Sequence, residues 1–162
     1  MIIYGKASSG KTTYVLNYIK KNKSKYDIII WFGRCYSDKE KIIKNSRAAK
    51  KMNIIMRCST IIEDDLYKSI INFRKINYKY NGYYPKILFV FDYYTKNDYN
   101  KNLEKLLNLN PYSRKENGLF FIFICQYYDD EYKYLNETFK TLGKKHELPL
   151  YKKIPNKMRL LL

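Results

Sequence analysis

The chain has 162 residues, and its 32 Lys and Arg against 15 Asp and Glu give a formal net charge of +17. A hydrophobic content of 46% and an aromatic content of 17% argue against a disordered chain, and the length suits one domain. The charge favours an acidic partner, either nucleic acid or an anionic membrane. Codon bias in an AT-rich genome, which enriches Lys, Asn, Ile and Tyr, is an alternative explanation for it.

Short apolar runs alternate along the chain with longer polar, periodic segments, which is typical of α/β sheet proteins. The predicted strands are Ile2–Tyr4, Asp27–Phe32, Asn53–Cys58, Lys86–Phe91 and Leu119–Cys125. The predicted helices are Lys11–Lys21, Asp38 to about Lys51 after a Ser37 cap, a helix from Thr60 towards the Asn81-Gly82 turn, Asn100–Leu109 and Asp129–Leu142. The continuous apolar character of Lys86–Phe91 predicts a central strand covered on both faces.

The cysteines and the histidine form no recognisable metal motif. Cys35, Cys58 and Cys125 are far apart in the sequence, and His146 is its one histidine. This spacing predicts neither a structural metal site nor a disulfide framework, and it favours a reducing, intracellular compartment. No apolar run approaches the roughly 18–20 residues of a membrane span, so we expect none. The N-terminal sequence also lacks the pattern of a secretory signal.

The most specific motif lies between the first predicted strand and the first predicted helix. Residues 5–12 match the phosphate-binding pattern G-x-x-x-x-G-K-[ST] in full and in its required context. In such loops, backbone N–H groups and the helix N-terminus face the phosphates. We expect Lys11 to reach the β- and γ-phosphates of ATP and Thr12 to hold Mg²⁺. The predicted nucleotide-binding residues are Gly5, Lys6, Ala7, Ser8, Ser9, Gly10, Lys11, Thr12 and Thr13.

Two later strands end in polar residues that suit the same chemistry. The strand before Asp92 is apolar throughout, and this pattern predicts that Asp92 holds Mg²⁺ directly or through water. The strand before Gln126 has the same form, and an amide there would contact the γ-phosphate or orient the attacking water. Gln126 is equally open to interpretation as a polar residue that simply leaves a buried strand.

These motifs predict a P-loop NTPase, a three-layer α/β/α sandwich with a mainly parallel sheet of about five strands. The P-loop domain would comprise residues 1–143, followed by a basic C-terminal tail, residues 144–162. Extra strands between the P-loop and Asp92 suit the division with AAA+, RecA-like and FtsK–HerA ATPases. Simple nucleotide kinases more often have the acidic strand next in sequence and add an Arg-rich lid, which is not visible here.

From Ile2 to about Phe139 the sequence resembles the FtsK–HerA superfamily, and within it the DNA-packaging ATPases of poxviruses and other large DNA viruses. The resemblance consists of the loop Gly5–Thr12, the strand Tyr26–Phe32, the Asp92 strand and the stretch Asn102–Tyr128. In that last stretch a leucine-bearing helix leads to Arg114 and then to an apolar strand that ends in Gln126. This order of arginine, strand and glutamine is typical of the family.

The resemblance implies an ATP hydrolase that forms a homo-oligomeric ring and translocates double-stranded DNA without reading its sequence. Its location would be intracellular, in the host cytoplasm or the virion if the protein is viral. An arginine from a neighbouring subunit would stabilise charge on the γ-phosphate. Arg114 and Arg34 are the candidates for this arginine, and a solvated surface position is the alternative for each.

The sequence also departs from the family pattern. Where relatives carry an acidic general base directly after the strand aspartate, this chain has Tyr93, and a phenol does not act as a base at neutral pH. Asp98 is the nearest alternative carboxylate in the sequence. Two other functions therefore stay open, namely a catalytically weak nucleotide-binding subunit and a nucleoside or nucleotide kinase.

A tyrosine-rich stretch lies outside these motifs. Tyr78, Tyr80, Tyr83 and Tyr84 accompany Lys79 and Lys86. Rings beside lysines suit stacking on bases or ribose, and a Tyr-rich surface loop from a biased genome is the alternative.

Overall fold

A computed structural model of the chain describes residues 1–5, 7–33, 54–109, 118–125 and 151–153. The strands are β1 (Ile2–Tyr4), β2 (Ile28–Phe32), β3 (Ile54–Arg57), β4 (Ile87–Asp92), β5 (Leu119–Cys125) and β6 (Tyr151–Lys153). The α-helices are α1 (Lys11–Lys21), α2 (Asp64–Asn81) and α3 (Lys101–Asn108). The predicted helices at 38–51 and 129–142 lie outside the described residues.

The six strands form one sheet in the order β3-β2-β4-β5-β1-β6, and every pairing in it is parallel. The α/β class and the parallel sheet are therefore confirmed. β5 lies between β1 and β4, with Tyr4 opposite Cys125 and Asp92 opposite Ile124. The carboxyl ends of these three strands consequently meet at one edge of the sheet.

Helices cover both faces of the sheet, as the predicted three-layer sandwich requires. Val15, Leu16 and Ile19 of α1 pack on one face, against side chains such as Trp31 and Val90. α2 and α3 pack on the other face, where Phe32, Phe89, Phe91 and Phe123 form the centre of the core. All six residues of β4 are buried, so this strand has the predicted central position. Burial of these side chains supplies most of the driving force for folding.

The end of the chain contributes a strand that the sequence did not predict. Tyr151–Lys153 pairs with β1 in parallel, so that β6 forms one edge of the sheet. A segment reading Tyr-Lys-Lys lacks the apolar run on which strand predictions depend. The division into residues 1–143 and 144–162 stays a prediction.

α2 begins four residues later than predicted, at Asp64 instead of Thr60. The hydroxyl of Thr60 donates a hydrogen bond to the Asp98 carboxylate, 2.5 Å away, and this long-range contact holds Thr60 in the loop before the helix. At its other end α2 stops at Gly82, which has a left-handed φ of 72° and donates its N–H to the Tyr78 carbonyl. The predicted Asn81-Gly82 turn is confirmed by this cap.

The cysteines depart from their prediction at one position. Cys58 is disulfide-bonded, whereas Cys125 is a buried thiol in β5. The prediction of no disulfide framework did not anticipate a disulfide at Cys58. Spacing along a sequence carries no information about which thiols folding brings together.

Candidate functional site: the carboxyl edge of the sheet

The loop between β1 and α1 contains two residues in the left-handed backbone region that tight turns use. Ser8 and Gly10 have left-handed φ values of 59° and 85°. This conformation costs a residue with a side chain about 1 kcal/mol or more, and glycine little. A strained non-glycine residue such as Ser8 is a common feature of functional loops. Lys6 lies outside the described residues.

The N-terminus of α1 is open to an anion. Gly10 occupies the N-cap position, its carbonyl accepts the N–H of Tyr14 at 2.8 Å, and no side chain of the described residues caps the helix. No acidic residue lies in the first turn, where it would compete with a bound anion. Because the first N–H groups of a helix have no partner within it, they and the positive end of the dipole favour a phosphate here.

Two side chains of the loop carry polar groups suited to phosphate. The Lys11 ammonium turns back over the loop and donates to the Gly5 carbonyl at 2.5 Å. Ser9 is buried, with 4% of its surface exposed, and its hydroxyl has no hydrogen-bond partner among the described residues. A buried hydroxyl without a partner is costly, by about 1–3 kcal/mol, so a ligand atom that satisfies it would be favoured.

Thr12 and Asp92 meet although 80 residues separate them. The Thr12 hydroxyl donates to Oδ2 of Asp92 at 3.2 Å, and Asp92 is buried with 3% exposure. This contact joins the first turn of α1 to the end of β4, and it brings together the two predicted Mg²⁺ ligands. Hydroxyl and carboxylate oxygens are the hard donors that Mg²⁺ prefers, alongside water and phosphate oxygens.

Metal chemistry at this edge would depend on those further oxygens. No group of three or more His, Cys, Asp and Glu side chains in the described ranges is placed to hold a metal ion by itself. Among the described residues, the Thr12–Asp92 pair therefore fits Mg²⁺ that arrives with a nucleotide, which would supply the further oxygen ligands.

Two tyrosines follow Asp92, where the family resemblance predicted an acidic general base. Tyr93 has a left-handed φ of 65°, and Tyr94 then returns to the core, where its ring packs edge-on against Phe91 and Phe123. The chain therefore turns sharply directly behind Asp92. The two described non-glycine residues with positive φ, Ser8 and Tyr93, flank the two strand ends that carry the candidate site.

Asp98 is used for structure. Its Oδ1 accepts the Thr60 hydroxyl, and its Oδ2 accepts both the N–H and the hydroxyl of Thr95, at 2.7 and 2.8 Å. With three donors on a carboxylate that is 8% exposed, Asp98 joins the loop before α2 to the turn after β4. These contacts identify a structural role for Asp98 and give no support to its use as a base.

Other predicted site residues fall outside the described part of the chain. Gln126 follows β5 directly in the sequence, and Arg114 and Arg34 lie in the segments 110–117 and 34–53. Their roles stay predictions.

One residue near Asp92 was missed by the sequence analysis. A Cβ added to Gly33 would lie 3.5 Å from the Asp92 Cβ, so Gly33 follows β2 directly beside that carboxylate. The signal was present, because Gly33 comes straight after a buried strand and β2 pairs in register with β4.

Comparison with known proteins adds no family to this geometry: neither the protein-family models nor the curated protein sequences contain a match to the chain. Within the ranges that the structure describes, no helix has both the length and the apolar character needed to cross a bilayer.

Proposed function

We propose that the chain binds ATP with Mg²⁺ at the carboxyl edge of the sheet and is a P-loop ATPase. The observation that carries this proposal is the hydrogen bond between Thr12 and Asp92. A chance match to the loop motif would not require the adjacent hydroxyl to meet a buried carboxylate from a strand two positions away in the sheet. Within the described part of the chain, α1 has no side-chain cap and the Ser9 hydroxyl has no hydrogen-bond partner, and both observations support the same conclusion.

Different residues would hold the phosphates and the metal ion. The loop backbone and the N-terminus of α1 hold the phosphates, and Lys11 moves from the Gly5 carbonyl to the more negative phosphate oxygens. Thr12 and Asp92 would hold Mg²⁺, which when bound neutralises charge on the β- and γ-phosphates. Burial of Asp92 strengthens its attraction for a cation, because little water screens it.

The order of the strands in the sheet supports assignment to the P-loop division that includes AAA+, RecA-like and FtsK–HerA ATPases. The strand that leads to Gln126 lies between the P-loop strand and the Asp92 strand, which is the position from which a polar residue could sense the γ-phosphate. With the resemblance to viral packaging ATPases, we propose that the protein is a DNA-translocating motor subunit that packages a viral genome. Double-stranded DNA would bind through its phosphates to the strongly basic chain.

The test is an ATPase assay with and without double-stranded DNA across a salt series. We expect turnover that DNA stimulates, that rising salt reduces, and that Lys11→Ala abolishes. Lys20→Ala is the matched control, because Lys20 is exposed on the same helix and away from the loop. ATP binding without turnover under every condition would contradict the motor and leave only the binding function.

A second candidate is a nucleotide-binding subunit with little hydrolysis. It is favoured by Tyr93 at the position after Asp92 and by the three donors that engage Asp98. Tyr93→Glu separates the two. If the missing base limits the rate, turnover rises well above that of the parent, and if another residue supplies the base, turnover does not rise.

A further inference from the structure

The exposed side of α2 carries two adjacent rows of side chains. Phe73, Ile76 and Tyr80 follow helical spacing and are 39%, 57% and 75% exposed. The neighbouring row also follows helical spacing and consists of three exposed lysines, Lys68, Lys75 and Lys79. Tyr83, 56% exposed, follows just past the Gly82 cap. We call this set of residues the α2 tyrosine surface.

The charged side chains of this surface are all positive. From residue 66 to residue 91 the sequence has no Asp or Glu, whereas Lys68, Arg74, Lys75, Lys79 and Lys86 all lie in that stretch. The Lys68 ammonium lies 4.0 Å from Asp65 at the start of the helix, and both side chains are largely exposed. Such a solvated pair neutralises little of the local field. A partner that fits here is an anion with flat, apolar parts.

A packed aromatic group supports the C-terminal end of the surface. The buried Arg74 guanidinium lies 4.7 Å from the centre of the Tyr84 ring, and Tyr84 stacks on Tyr78 with ring centres 4.6 Å apart. Burial lowers the pKa of Arg74, and Tyr84 opposes that shift. These contacts fix the turn after α2 against the helix, so the exposed rings of Tyr80 and Tyr83 project from an ordered support.

We propose that the α2 tyrosine surface binds single-stranded nucleic acid. The lysine row contacts phosphates, and Tyr80 and Tyr83 stack on unpaired bases, the combination that single-strand binding surfaces use. The Lys79 ammonium lies 5.7 Å from the centre of the Tyr80 ring, so charge and stacking face are adjacent. A membrane-surface helix typically has Trp, Phe and Leu on its apolar side, and the most exposed ring here is a tyrosine.

This proposal is independent of ATP binding, since the surface includes none of the residues of the P-loop site. It also differs from double-stranded DNA binding, because paired bases do not offer their faces for stacking. Fluorescence anisotropy of labelled oligonucleotides with the full chain, without nucleotide, measures it directly. The probes are a single-stranded DNA, an RNA of the same length, and the corresponding DNA duplex.

Tyr80→Ala tests stacking, and Tyr80→Phe is its control because it keeps the ring. We expect Tyr80→Ala to weaken single-strand binding about 5- to 100-fold, Tyr80→Phe to change it less than about 2-fold, and the duplex to be insensitive to both. DNA and RNA strands affected alike indicate recognition of bases, and a larger effect on RNA indicates ribose contacts in addition. Single-strand binding by Tyr80→Ala equal to that of the parent would overturn the proposal.

Lys79→Gln and Lys101→Gln test the charge. Both change the net charge equally and both residues are exposed, but Lys101 lies on α3. We expect Lys79→Gln alone to weaken binding and to reduce the salt slope by about 0.7. Equal effects would mean that only diffuse charge attracts the strand, and would overturn the proposal.

A Tyr80→Ala effect confined to binding of phosphatidylserine vesicles would overturn the proposal in favour of a membrane. Lys11→Ala should leave every oligonucleotide affinity unchanged, so failure of the ATPase proposal is distinguishable.

Discussion

The P-loop and the segment that follows β4 lie at the same edge of the sheet, yet their polar groups are used in opposite ways. In the P-loop, α1 lacks a side-chain cap and the buried Ser9 hydroxyl has no partner among the described residues. After β4, Asp98 accepts three hydrogen bonds, and Asn100 and Asn102 both donate to the Ile62 carbonyl. Asn100 also caps α3 by accepting the Leu103 N–H.

This difference separates a binding loop from a supporting one. Polar groups left without protein partners at a helix N-terminus are available to a ligand, whereas polar groups that already pair with one another stabilise the fold. The sequence shows both segments as polar and therefore does not distinguish them. The hydrogen bonds do: they give residues 95–102 a structural role, and they leave polar groups of the P-loop for the ligand that we propose.

The largest effect that we expect is on stability, in the supporting segment. Asp98→Ala removes the acceptor of three donors and should lower the free energy of unfolding by about 3 kcal/mol, measured by chemical denaturation. Asp65→Ala, an exposed carboxylate on α2, is the control and should cost less than about 1 kcal/mol. If Asp98→Ala is instead as stable as the parent and loses only ATP turnover, Asp98 is the general base and the comparison fails.

The next effect is on ligand binding, in the P-loop. ATP with Mg²⁺ at about 100 times its Kd should stabilise the parent by about 2.7 kcal/mol. Lys11→Ala loses charged hydrogen bonds to phosphate, so its affinity should fall about 100-fold and this stabilisation to below about 0.5 kcal/mol. Thermal unfolding with and without ligand measures both values. Equal stabilisation of Lys11→Ala and the parent would show that the nucleotide binds elsewhere.

Thr12 gives a test of the Mg²⁺ ligand pair. Thr12→Val keeps the side-chain shape but removes the hydroxyl that meets Asp92, whereas Thr12→Ser keeps the hydroxyl. We expect the increase in ATP affinity on adding Mg²⁺ to fall about 10-fold in Thr12→Val, as for loss of one hydrogen-bonded group beside a charge, and to persist in Thr12→Ser. A Mg²⁺ titration at constant ATP measures it. An undiminished effect in Thr12→Val removes Thr12 from the metal site.

Ser9→Ala should have the smallest effects, and they differ in sign between the stability of the free protein and its affinity for ATP. Ser9→Ala removes a buried hydroxyl that has no described partner, so the free protein should become more stable by about 1 kcal/mol. Its affinity for ATP should fall about 5-fold, because a phosphate contact is lost. Denaturation and nucleotide titration of the same variant check both changes. A loss of stability would mean that the hydroxyl supports the fold instead of the ligand.

The sequence predicted the elements that surround the candidate site where the pattern is local or ends a strand. The P-loop motif, the strand before Asp92 and the parallel order of the sheet all follow from local patterns of glycine, lysine and apolar residues. Long-range pairing was not predictable in this way. Thr60 was predicted to begin a helix, but its side chain bonds to Asp98 and holds it in the preceding loop. A contact between residues 38 positions apart cannot be read from the sequence. β6 has no apolar run, and the neighbourhood of Gly33 and Asp92 depends on strand register.

Calorimetric titration of the full chain with ATP, with and without Mg²⁺, tests the central assignment most directly when it is repeated with Asp92→Asn. We expect saturable binding by the parent that Mg²⁺ strengthens, and binding by Asp92→Asn that persists but no longer responds to Mg²⁺. Absence of ATP binding by the parent, or a full Mg²⁺ response in Asp92→Asn, would contradict the assignment of the carboxyl edge of the sheet as a Mg²⁺–nucleotide site.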